Sequence, residues 1–82
     1  MTRVVLSALE PGVYVVRRRP SEHFEPPGPL VREMHGGWWS LELNGVCVER
    51  FPYLAHARRW LNGSWGQSWL DGVPRLGRED RT

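Results

Sequence analysis

The side chains in this chain that could do chemistry are few and widely spaced. His23, His35, Cys47 and His56 stand nine or more residues apart. None falls into a CxxC, HxxxH or HExxH spacing that would present two metal ligands together. Cys47 with His35 or His56 is the one nucleophile–base combination, and nothing beside Cys47 in the sequence would activate a thiol. Glu33, Glu42 and Glu49 are expected on one sheet face. An open face supplies neither the burial nor the pocket that acid–base work needs. Gly36-Gly37 and Gly63…Gly66 fit no phosphate loop, and the first joins strands instead of opening a helix. The expectation is a protein that is not an enzyme, with no metal and no cofactor.

Arginine and tryptophan are concentrated instead. The eleven basic residues are all Arg, the formal charge is +2 and the pI is about 9.3. The absence of Lys and Ile fits a GC-rich coding bias. Arg17-Arg18-Arg19 and Arg58-Arg59 form two clusters, and Arg75, Arg78 and Arg81 dot the C-terminal end. If they converge they make an Arg-rich edge for phosphates, because the guanidinium fork matches phosphate geometry. Glu22, Glu25, Glu79 and Asp80 would partly neutralise it. Of the five Trp, Trp39 and Trp60 fit core positions. Trp38, Trp65 and Trp69 are harder to house and are candidate anchors for a protein partner.

These groups need a scaffold, and 82 residues allow one small domain with one modest core. Arg3–Leu9 and Val13–Arg18 read as strands around a Glu10-Pro11-Gly12 turn. Pro20–Pro29, with four Pro and a Gly, is a loop. Leu30–His35, Trp38–Leu43 and Val46–Phe51 read as three more strands. They are joined by Gly36-Gly37 and by Asn44-Gly45, the strongest short hairpin signal in the chain.

With two-residue turns throughout, Leu41 opposes Val48 and Trp39 opposes Arg50. Leu30, Met34, Trp39, Leu41, Leu43, Val46 and Val48 then form the core face. Val31, Glu33, His35, Trp38, Ser40, Glu42, Cys47, Glu49 and Phe51 form a mixed, acidic outer face. A helix begins with Pro52 at its first position and runs to about Asn62, with Gly63 as its stop. Tyr53, Ala57, Trp60 and Leu61 make its buried stripe. Ser64–Leu70 reads as a short helical turn. The fold class expected is α+β: a five-stranded antiparallel meander with one C-terminal helix packed on one sheet face. Residues 1–70 form the domain and 71–82 a flexible polar tail.

One cysteine excludes an internal disulfide and points to a reducing compartment. No apolar run is long enough for a signal peptide or a membrane span. The expected location is cytoplasmic.

From Gly37 to Leu61 the chain runs as a Trp-rich strand, an Asn-Gly turn, a strand ending in Phe51, then a helix with Ala57-Arg58-Arg59-Trp60-Leu61. This pattern is similar to the three-strands-plus-helix unit of arm-type DNA-binding domains in phage integrases. It also resembles small uncharacterised proteins of actinobacterial phages and mobile elements. The first resemblance implies a sheet face that enters the DNA major groove. The residues themselves favour a different function: a protein–protein binding module that occupies a partner surface through Trp38, Trp65 and Trp69 and the acidic outer face; the second resemblance implies that it is a phage-type accessory or inhibitor. The alternative is a small nucleic-acid-binding accessory protein using Arg17, Arg18, Arg19, Arg58 and Arg59. A homodimer through a sheet edge or the Trp segment fits either reading.

Overall fold

The computed structural model describes residues 3–19, 24 and 28–74, with Arg19 described by its backbone alone. Five strands, β1 (Arg3–Glu10), β2 (Val13–Arg19), β3 (Pro29–Glu33), β4 (Trp39–Leu43) and β5 (Val46–Phe51), precede two helices, α1 (Leu54–Asn62) and α2 (Ser64–Asp71). The strands pair antiparallel in the order β1-β2-β3-β4-β5, the meander expected of the sequence. The helical part differs from expectation: there are two helices where one was expected.

The turn chemistry explains the meander. Gly12 takes φ +80° in the first hairpin, and Asn44 (φ 54°) with Gly45 (φ 81°) closes the last. Positive φ at both Asn44 and Gly45 defines the turn that suits the right-handed twist of paired strands. The β3–β4 connection is longer than expected. His35–Gly37 forms a single 3-10 turn, with Gly36 and Gly37 both at positive φ. The Met34 amide donates to the Trp38 carbonyl at 2.7 Å across it. The loop therefore holds three residues, and β3 slides by one: Val31 faces Leu41 and Leu30 faces Glu42.

A second slip occurs in β5, where the register shifts between Leu41 and Glu42. Leu43 still faces Val46, but Leu41 faces Glu49 and Trp39 faces Phe51. One extra residue on β5 is a bulge, and it exchanges the faces of everything beyond it. The expected face assignment therefore stands for β4 and, by register, for Val46 and Cys47, and fails for β3 and for β5 beyond the bulge. Val31 and Phe51, expected outside, are buried; Met34, Val46 and Val48, expected inside, are exposed.

Both helices cover the face that carries Val4, Val16, Val31, Leu41 and Phe51, and Phe24, Ala57, Leu61, Leu70 and Val73 complete that core. Aromatic rings line its margin. Phe51 meets Trp60 at 5.9 Å, Trp60 meets Trp69 at 6.2 Å, and Tyr14 meets Trp39 at 5.8 Å, all tilted, an arrangement aromatic pairs favour. Val73 belongs to the core, so the packed body reaches past residue 70. The rest of the expected tail, 75–82, lies outside the described residues, as does most of the Pro-rich loop.

The start of α1 differs from the Pro52 start expected. Tyr53 is its N-cap, in extended conformation, and its carbonyl accepts from the His56 amide at 3.0 Å. Gly63 is at once the C-cap of α1 and the N-cap of α2, with φ −83° and ψ 176°. One extended residue thus turns a single helical run into a corner. The fold-back is tight: a Cβ on Gly66 would fall on the Trp60 carbonyl and the Leu61 backbone. Gln67 seals the junction, its Nε2 donating to the Leu61 carbonyl at 3.0 Å. That satisfies a carbonyl left without an intrahelical partner at the end of α1. Asn62 reaches sideways to β1, where its Oδ1 accepts from the Val4 amide at 2.8 Å.

Candidate functional site

Directly paired residues share a sheet face, so the register settles which side chains lie opposite the helices. Val5 pairs with Arg17, Val13 with Arg32, Arg32 with Ser40, and Ser40 with Arg50. Arg3, two residues from Val5, lies on the same side. This face, turned away from α1 and α2, presents Arg3, Arg17, Arg32 and Arg50, all exposed. The carboxylates that share it by register are Glu10 and Glu42. Glu42 is drawn toward Arg32, whose Nε donates to its Oε1 at 3.3 Å. Glu33 pairs with Trp39 and Glu49 with Leu41, which puts both on the helix side by register. The acidic outer face expected of the sequence is therefore a basic one. The β3 slip and the β5 bulge move Glu33 and Glu49 away and leave Arg32 and Arg50 on either side of Ser40.

The candidate nucleic-acid residues fall into three groups. Arg17 is on the open face. Arg18 points the other way: only 4% exposed, it donates to Gln67 (backbone O at 3.3 Å, Oε1 at 3.1 Å) and to Asp71 Oδ1 at 2.8 Å. It clamps α2 to β2 and does not reach a surface ligand. The backbone of Arg19 pairs with Arg3, and its side chain lies outside the described residues. Arg58 and Arg59 are exposed on α1. Arg58 shares with Arg3 and Asn62 a recess of ≈ 310 Å³ beside β1. The C-terminal arginines and His23 lie outside the described residues.

The candidate protein anchors also separate. Trp38 is 48% exposed and lines a recess of ≈ 330 Å³ with Met34, His35 and Arg50 at one end of the sheet. Trp65, 80% exposed, stands on α2, which packs on the opposite face. Trp69 is half-buried against Trp60. The three do not form one patch.

Cys47 is exposed and follows the Asn44-Gly45 turn, at the far end of β4 from His35. Its thiol donates weakly to the Glu49 carbonyl at 3.6 Å. Among the described residues, no three His, Cys, Asp or Glu side chains are grouped to hold a metal ion. Nor is any helix of those residues long and apolar enough to cross a membrane. Comparison with protein-family models, curated proteins and solved structures finds no match for this chain.

The sequence concealed the placement of Arg32 and Arg50, which stand alone among apolar and acidic neighbours. Only the ladder brings them together. A three-residue β3–β4 loop would have set Arg32 beside Ser40, but Arg50 joins that row only through the β5 bulge.

Proposed function

We propose that this protein binds nucleic acid through the open face of its sheet. The observation that carries the reading is the set of four exposed arginines, Arg3, Arg17, Arg32 and Arg50, spread over four of the five strands on the side away from the helices. Guanidinium groups fixed on a sheet can follow a phosphate backbone, and counterion release supplies the affinity. The role is that of an accessory protein, without catalysis. The resemblance to arm-type domains fits this reading, because those domains also present a sheet face to DNA.

A second reading, capture of a protein partner, is favoured by the large exposure of Trp65 alone. Both are tested by anisotropy titrations of labelled oligonucleotides, duplex and single-stranded. With about four phosphate contacts, affinity for a single strand should fall roughly 50-fold between about 50 and 200 mM salt. The double variant Arg17→Glu/Arg50→Glu should lose binding while keeping its circular dichroism spectrum, and Trp65→Ala should bind as the parent does. Absence of binding at low salt, or full binding by the double variant, would overturn the proposal. Either result would leave the Trp65 reading in place.

A further inference from the structure

The recess beside Trp38 and the row of residues next to it narrow the kind of nucleic acid. Resting on the reading just given, we infer that the ligand is single-stranded, with one unpaired base stacked on Trp38 and its phosphate seated over Ser40 between Arg32 and Arg50.

Three observations converge on this subsite. The first is the row Arg32–Ser40–Arg50 across β3, β4 and β5. Neighbouring strands lie about 4.8 Å apart, so the two arginine backbones are roughly 10 Å from each other. Two long side chains can close that gap on one phosphate from opposite sides, each offering a fork of donors. Both residues are exposed; Arg50 stands on the edge strand β5, and Arg32 would exchange its 3.3 Å ion pair with Glu42 for the phosphate.

The second is Ser40 itself. Its side chain is fully buried, and its Oγ has no hydrogen-bond partner among the described residues. A buried hydroxyl without a partner is costly, and native structures seldom leave one so. By strand alternation Ser40 faces away from Leu41 and the core, onto the arginine side. A phosphate oxygen drawn in by Arg32 and Arg50, with the side chains that now cover Ser40 moved aside, would give that hydroxyl an acceptor.

The third is the aromatic platform at the correct distance. Trp38 is two residues before Ser40 and on the same side, roughly 7 Å along the chain. Met34 is held opposite it by the hydrogen bond that closes the hairpin loop. Met34, His35, Trp38 and Arg50 together line the ≈ 330 Å³ recess. Half-exposed indole in a basic surrounding is the arrangement on which single-stranded binders stack bases, with little dependence on base identity. His35 adds a ring nitrogen that can donate or accept at a base edge. A duplex keeps its bases stacked inside and can offer this recess nothing but its backbone.

The test uses the full chain and labelled oligonucleotides of equal length: a homothymidine DNA strand, a homouridine RNA strand and a mixed-sequence DNA duplex. The single strands should bind at least about tenfold tighter than the duplex. Trp38→Ala should weaken single-strand binding by about 10- to 100-fold and leave duplex binding unchanged, and Trp38→Phe should restore most of the loss. Ser40→Ala should weaken single-strand binding several-fold while the melting temperature of the free protein holds or rises, because an unsatisfied buried hydroxyl is removed. Binding of either strand type more tightly than the duplex supports the inference, and the pair of strands identifies the sugar preferred. Equal affinity for strand and duplex, or a Trp38→Ala variant that binds single strands as the parent does, overturns the inference and leaves the basic-face reading standing. Failure of all three nucleic acids to bind overturns both.

Discussion

Arg18 shows how little residue type says about role. It lies between Arg17 and Arg19 in an unbroken basic run, and strand alternation alone separates its fate from that of Arg17. Arg17 faces water on the open side, while Arg18 is turned under α2, where a guanidinium needs several acceptors to be tolerated. It finds them in Gln67 and Asp71. Replacing Arg18 with Ala should therefore lower stability by about 1–3 kcal/mol, the cost of stripping hydrogen bonds from partly buried acceptors. Asp71→Asn should cost less than about 1 kcal/mol, because that carboxylate is 66% exposed and solvent screens the pair. Urea denaturation of the two variants checks the order; equal losses would mean that the charge, not the set of hydrogen bonds, holds α2.

At the scale of elements, strand and helix existence were legible and register was not. Each strand carries β-branched and apolar residues between turn signals, and those signals depend only on neighbouring residues. Register depends on how many residues a loop contains. His35-Gly36-Gly37 and the β5 bulge each change that count by one, and each change exchanges a face. So Trp39, Leu41 and Leu43 were readable as inward-facing, while Val31 and Phe51 were assigned to the wrong side. The candidate site was hidden by the same two slips, since Arg32 and Arg50 share a row only after both. The second helix was half legible. Trp65 and Trp69 marked a turn of helix, but nothing local announced that Gly66 is where α2 passes over the end of α1. Gly66→Ala should lower stability by about 1–3 kcal/mol, as over-packing against rigid backbone does. Elsewhere in an exposed helix the same change would stabilise. Thermal melts of Gly66→Ala check this, and a rise in melting temperature would mean that the crossing can relax.

At the scale of the whole molecule, the core is small and lies on one side of the sheet. Most of it comes from the strands and α1, but Leu70 and Val73 close it from the C-terminal side. A small domain has little stability in reserve. Val73→Asp, which sets a carboxylate in that apolar core, should cost about 2–4 kcal/mol and broaden or abolish the cooperative melt. An unchanged melt would show that the segment after α2 detaches freely.

The Asn62 side chain has a consequence at this scale as well. By holding the backbone of Val4, it occupies the first rung that an incoming strand would need along β1, while β5 keeps its outer rim exposed. Growth of the sheet by recruitment of further copies is thereby biased to one flank. Two molecules meeting flank to flank through β5 would use up both open rims and stop as a closed pair, whereas head-to-tail stacking into a fibre would first have to evict an amide already in place.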